Sequence, residues 1–213
     1  MADLILEVAR FRRWADEHYP IGNRFGEWEC DYPDWGSLYE AVLGLVSSRP
    51  IQDWSEVELG AVLYAVARDN EMQHLAREIR SHPELLFGLA KIAADCGEPD
   101  AKWQLADELG QLGQCGRETE VLLGTLASDA DEYVRRRSLQ ALARLHSQRV
   151  EELAMKEWHR PDKNQQWARM NVLQCLDRVR SSLLEPLIVD AERDERPYLA
   201  DFAKSVRQGD VKD

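Results

Sequence analysis

Glycine and proline are scarce, 12 and 8 in 213 residues. So few turn formers leave little room for many tight connections and favour long helices with short links. Cysteine is scarcer still. The four, Cys30, Cys96, Cys115 and Cys175, form no CxxC or CxxH pair. Cys96 and Cys175 sit among apolar neighbours at helical spacing and read as buried free thiols, as expected in a reducing cytoplasm. No stretch approaches the roughly 20 apolar residues that a membrane span requires. The opening MADLILEVARFRRWADEH has no apolar run of the kind a signal peptide needs. A basic surplus is missing too: 27 Lys and Arg stand against 39 Asp and Glu, a net charge of −12. That balance argues against binding a polyanion such as nucleic acid, and against docking on an anionic membrane.

What remains is helix. Leu4, Ile5, Val8, Phe11 and Trp14 recur at helical spacing over residues 3–18. Residues 19–36, YPIGNRFGEWECDYPDWG, carry no period and form the long irregular segment of the chain. From Ser37 onward helix follows helix, at about 54–69, 70–81, 83–96, 99–112, 117–128, 131–146, 149–160, 163–180, 182–193 and 196–208. Ser55-Glu56-Val57-Glu58 and Ser81-His82-Pro83-Glu84 have the pattern of capping boxes, with Pro83 at a first helical position. Asp129-Ala130-Asp131-Glu132 and Asp162 open further helices. Gly97, Gly113 and Gly209 fall where a left-handed C-terminal residue is expected. No window alternates with period two for long enough to make a strand.

The helices repeat. YVRRRSLQALARL (133–145) matches WARMNVLQCLDRV (167–179) at an offset of 34 residues, with Arg135 on Arg169, Leu139 on Leu173, Gln140 on Gln174, Leu142 on Leu176 and Arg144 on Arg178. Residues 101–112 and 196–208 give weaker copies. A single helix pair of this length cannot bury its own apolar face, so neighbours must stack. The expected fold is all-α: a right-handed α–α superhelix of about five helix pairs with an N-terminal helical cap. It would be one domain over 1–213, with the cap over 1–53 and the repeats over 54–213.

Asp131-Glu132-Tyr133-Val134-Arg135, followed by Ser138, Ala141, Leu142 and Leu145, resembles the second helix of a HEAT-like repeat, of the compact bacterial kind. The resemblance covers roughly the C-terminal 130 residues. It implies that Arg135 and Arg169 each pair with an acidic group in the next repeat, leaving Arg136 to point into the groove. The Trp-x-x-Leu-Gly-x-x-Tyr pattern of tetratricopeptide arrays is absent.

Catalytic signatures are missing. None of His18, His74, His82, His146 and His159 forms an HExxH or HxH pair, GxSxG does not occur, and no glycine-rich phosphate loop follows a strand. No catalytic residue, metal or cofactor is therefore assigned. Two features stand out instead. GEWECDYPDW (26–35) sets acids among Trp28, Tyr32 and Trp35, which suits protein recognition or, alternatively, a cover over the first apolar face. Charge is also uneven, with the acid excess concentrated toward the N-terminus.

These readings lead to an expected function: a monomeric, cytoplasmic, non-enzymatic solenoid that binds a basic protein partner. The candidate contacts are Trp28, Glu29, Asp31, Tyr32 and Trp35 on the N-terminal segment, and Trp103, Asp107, Arg136, Gln140, Trp167 and Asn171 on the concave wall. The family resemblance extends this to an immunity or antitoxin protein that neutralises a toxin. Its alternatives are a HEAT-like DNA glycosylase, in which Trp103, Trp167 and Asp107 would stand at the lesion, and a chaperone-like or lyase-like HEAT protein.

Overall fold

The computed structural model describes residues 3–114, 116–161 and 165–210. Of these, 72% are helical and none is in a strand. Twelve α-helices occur among the described residues: α1 Leu4–His18, α2 Trp35–Ser48, α3 Glu56–Arg68, α4 His74–Arg80, α5 Pro83–Cys96, α6 Pro99–Gly110, α7 Arg117–Leu126, α8 Glu132–Arg144, α9 Val150–Trp158, α10 Gln166–Arg178, α11 Leu184–Ala191 and α12 Pro197–Gln208. None of them is long and apolar enough to cross a membrane. The chain packs as two compact units, Met1–Leu109 and Gly110–Asp213.

In the first unit α1 packs on α2 and α3, α2 on α4, and α5 on both α3 and α4. Gln104 on α6 donates its side-chain amide to the Val66 carbonyl of α3 (2.7 Å). The expected start signals act as caps at two places. Ser55 Oγ accepts from the Glu58 N–H (3.3 Å) while the Ser55 N–H donates to Glu58 Oε2 (2.8 Å), a complete capping box. In the second unit, Asp131 Oδ1 caps α8 through the Val134 N–H (3.1 Å).

Several expectations need correction. Ser81 is no N-cap. Only Ser81 and His82 separate α4 from α5, and Ser81 still has helical backbone angles, so its hydroxyl cannot reach forward as an N-cap does. Pro83 nevertheless takes the first position of α5. Helix α4 begins at His74 rather than 70, because the Asp69 carboxylate accepts from the Leu75 N–H (2.7 Å) and Gln73 is left-handed (φ 50°). Gly97 is extended (φ −80°), not left-handed. Cys96 is exposed at the end of α5, whereas Cys175 is buried. Asp162 and Cys115 lie outside the described residues.

The helix packing of the second unit is compatible with a helical repeat. Its helices pair as α7 with α8, α9 with α10 and α11 with α12, and α10 packs against both α8 and α12. Gly113, His146 and Arg180 are all left-handed, at φ 72°, 51° and 55°. After α8 the Ser147 N–H returns to the Leu142 carbonyl (3.0 Å), and after α10 the Ser181 N–H returns to Leu176 (2.9 Å). These are the long-range bonds of Schellman endings. Each serine hydroxyl then accepts from the backbone two residues on, at Arg149 and Leu183 (both 3.1 Å), and donates to a glutamate, Glu120 or Glu151. The same device thus closes both α8 and α10.

Both arginines of the expected ladder are paired. Arg135 is buried, and its Nε lies 3.0 Å from Glu157 Oε2 on α9, while Nη1 donates to the carbonyls of Asp129 (3.0 Å) and Ala130 (2.8 Å). Arg169 Nη1 lies 3.2 Å from Asp194 Oδ2, in the link between α11 and α12.

Hydrogen bonds from Arg196, reinforced by Arg169, hold the Asp194 carboxyl down at about 2 from its ordinary 3.8. A depressed acid contributes stability that is complete above its unfolded pKa and is lost as pH falls through the folded value. Asp194→Asn should therefore cost about 2 kcal/mol at neutral pH. Urea unfolding of the variant should also decline less steeply than wild type between about pH 4 and pH 2, by the share that Asp194 contributes.

Candidate functional site

The N-terminal segment folds because its rings have somewhere to go. Residues Trp28–Asp31 make a short 3-10 turn that delivers Trp28 and Tyr32 onto the face of α1. There Phe11, fully buried, meets Tyr32 edge-on with ring centroids 4.5 Å apart, Trp35 at 5.3 Å and Trp28 at 6.1 Å. Trp28 also stacks on Trp14 (6.3 Å) and lies under the Arg24 guanidinium (5.0 Å). Trp28, Glu29 and Tyr32 are all buried. Of the two readings of this segment, the cover over the first apolar face describes these two rings. What the segment shows to solvent instead is Ile21 and Phe25, the latter 79% exposed. Asp31 is exposed and accepts from the Tyr19 hydroxyl.

Trp35 has a second role. Half-buried at the start of α2, it donates its indole N–H to the Glu29 carbonyl (2.9 Å) and stacks on Tyr39 one turn later (5.3 Å). These two rings form one wall of an open depression of about 510 Å³. The α3–α4 turn lines it too, with Asp69, Glu71, Met72 and His74; Cys30, Arg68 and Arg77 complete the lining. Tyr39 donates its hydroxyl to Asp69 Oδ1 (2.8 Å), and its ring lies 4.7 Å from that of His74. Met72 stands 61% exposed at the rim.

The titratable groups around this depression are shifted by burial and by one another. Burial pushes the Cys30 thiol up, and the surrounding acids, Glu71 first, push it further, so it is a poor source of thiolate. Burial also raises Asp69, against the pull of the Leu75 N–H and the Tyr39 hydroxyl. That carboxylate is engaged in fixing the turn. Glu71 is raised by its hydrogen bond with Glu27. Among the described residues no group of three His, Cys, Asp or Glu side chains is placed to hold a metal ion.

The remaining candidates are spread over both units. Trp103 is buried on α6 with its indole N–H on Asp100 (3.1 Å), and Asp107 is buried too. In the second unit Trp167 is 48% exposed and stacks on Tyr198 (6.0 Å), which occupies the equivalent place on α12. Asn171 is buried and donates to the Arg136 carbonyl (3.2 Å). Arg136 is partly exposed and engaged on its own helix. Its Nε lies 3.1 Å from Glu132 and its guanidinium covers the Tyr133 ring at 4.6 Å, because Glu132 precedes it by one helical turn. Arg137, not Arg136, lines the depression between α8 and α10 together with Gln140.

Sequence reading therefore found Trp35 but not Tyr39, Asp69, Met72 and His74. The spacing of Trp35 and Tyr39 was a usable signal, since residues four apart share a helical face. Residues 69–73 were hidden by the expectation of two helices, 54–69 and 70–81, that follow each other directly. Charge divides by unit: the first carries 10 basic and 21 acidic side chains, net −11, and the second 17 and 18, net −1. No protein-family model matches the chain, and no curated protein matches it.

Trp28→Ala should lower stability by about 3–5 kcal/mol, because it empties a packed aromatic cluster. Phe25→Ala, on the same segment, should change it by less than about 0.5 kcal/mol. Denaturant unfolding of the two variants checks the contrast.

Proposed function

We propose that this chain is a HEAT-like helical-repeat protein, an α-solenoid, that acts without catalysis by binding a basic protein partner through its first unit. The observation that carries the reading is the depression walled by Trp35, Tyr39 and Met72, set in a unit of net charge −11. Aromatic rings and methionine supply adaptable apolar contact for one anchoring side chain. Surrounding acids steer a basic partner toward it and raise the association rate. Support for the repeat reading comes from the two arginine–acid pairs and from the recurring left-handed, serine-capped helix ends of the second unit.

In its specific form, the proposal is an immunity-type protein that neutralises a basic toxin. The glycosylase alternative loses support from the burial of Trp103 and Asp107, which leaves neither side chain to present to a lesion.

The test is capture of partners from source cells with tagged wild type and with Met72→Ala and Glu71→Lys. A basic protein should be retained by the wild type. Met72→Ala should weaken its binding by about 2 kcal/mol with an unchanged melting temperature. Glu71→Lys should slow association and flatten its salt dependence. The immunity form further requires that the captured protein arrest growth when expressed alone and not when co-expressed with this chain. Failure of every basic protein to bind, with retention of duplex DNA at low salt, would overturn the reading.

A further inference from the structure

The loop between α1 and the 3-10 turn at Trp28 inverts the usual placing of charged and apolar side chains. Arg24 folds back onto the protein, while its neighbour Phe25 and nearby Ile21 face solvent, 79% and 89% exposed. The Arg24 Nε donates to the Tyr19 carbonyl (2.8 Å) and its Nη2 to Asp16 Oδ1 (2.6 Å). The same guanidinium lies over the Trp28 ring (5.0 Å). Its charge and its flat face are therefore both spent inside the segment.

The two apolar side chains are not exposed for want of local structure. The Asn23 N–H closes a turn on the Pro20 carbonyl (2.9 Å), and the Tyr19 hydroxyl donates to Asp31, which ties the start of the loop to the 3-10 turn that follows it. Gly22 and Gly26 have φ of 103° and 65°, so the chain bends immediately after Ile21 and again after Phe25. Each apolar residue thus stands at a bend whose backbone is fixed by polar contacts.

Charge on the segment is of one sign. Residues 16–34 hold six acids, Asp16, Glu17, Glu27, Glu29, Asp31 and Asp34, against Arg24 as the one Lys or Arg. Asp16 is taken by Arg24, and Glu29 is buried facing Arg68. Glu17, Glu27, Asp31 and Asp34 remain exposed on the same stretch as the two apolar side chains.

We propose that Ile21 and Phe25 form a protruding anchor that enters an apolar socket, rimmed by Lys and Arg, on a partner protein. The inference rests on the reading of the first unit as a binder of a basic protein, and adds a knob to its recess. A buried aromatic anchor carries much of the energy of an interface, and a loop already held in shape loses little freedom on docking. The exposed acids complement a basic rim and steer it toward the anchor. They also argue against other occupants. An anionic membrane would be repelled, and a second copy would bring another first unit of net charge −11.

The test takes the basic protein retained by the tagged wild-type chain, purifies it and titrates it against variants. Combining Ile21→Ala with Phe25→Ala should weaken binding by about tenfold or more, with an unchanged melting temperature. Phe25→Leu, which keeps an apolar side chain, should weaken it less. Glu17→Lys should slow association and leave dissociation nearly unchanged. If the double variant binds as tightly as wild type, the anchor is overturned and the binding reading stands. If wild type retains no basic protein, both fall. Co-sedimentation with phosphatidylcholine vesicles and sedimentation velocity of the chain alone examine the other occupants. Vesicle binding or self-association that Phe25→Ala abolishes would overturn the assignment to a partner protein.

Discussion

A buried guanidinium must be satisfied on all its edges, and Arg135 organises the middle of the second unit around that demand. Its Nε and Nη2 face the Glu157 carboxylate of α9, and Nη1 takes the carbonyls of Asp129 and Ala130 just before its own helix. One side chain therefore fixes the approach of the chain into α8 and the position of the helix that follows. Pairs of this kind add little net stability compared with a well-packed apolar alternative, but they tolerate few alternative arrangements, since a shifted register would leave a charge buried and unpaired. Arg160 also reaches Glu157 (3.0 Å), so the end of α9 is tied into the same group.

The rotation that turns Arg135 inward decides what the rest of α8 presents. Val134, Ser138, Leu139, Ala141 and Leu142 are buried with it. Arg137, Gln140 and Arg144 then take the side that faces the depression toward α10. Because α10 keeps the same pattern, its Gln174 and Arg178 arrive opposite. The polar lining is thus a by-product of how the core is packed, repeated once. In the first unit the organising demand is aromatic rather than ionic: the Phe11 cluster draws in Trp28 and Tyr32 and leaves Trp35 at its edge, where one ring can serve both core and surface.

The two units consequently offer opposite surfaces. One is strongly acidic and has an aromatic depression; the other is nearly neutral and gathers three arginines in one place. The cysteines nearest to each depression, Cys30 and Cys175, are both shifted away from the thiolate.

Helical periodicity, the Ser55 and Asp131 caps and the spacing of Arg135 and Arg169 were sufficient to read nearly every helix and the repeat, because these features act within one or two turns of chain. Local pattern failed where a side chain from elsewhere takes control of the backbone. Asp69 caps α4 from outside it and delays its start, and Ser81 loses its capping role because the link to α5 is too short. The sites were legible only in part for a related reason. Composition announces that Trp28, Tyr32 and Trp35 matter, but whether a ring is buried depends on what faces it, and Phe11 and Trp14 are more than ten residues away. Likewise the recurrence of Gln and Arg at 34-residue spacing is visible in the chain. Only the packing of α8 against α10 turns that spacing into a single polar depression, because side chains so far apart in sequence meet through tertiary contact alone.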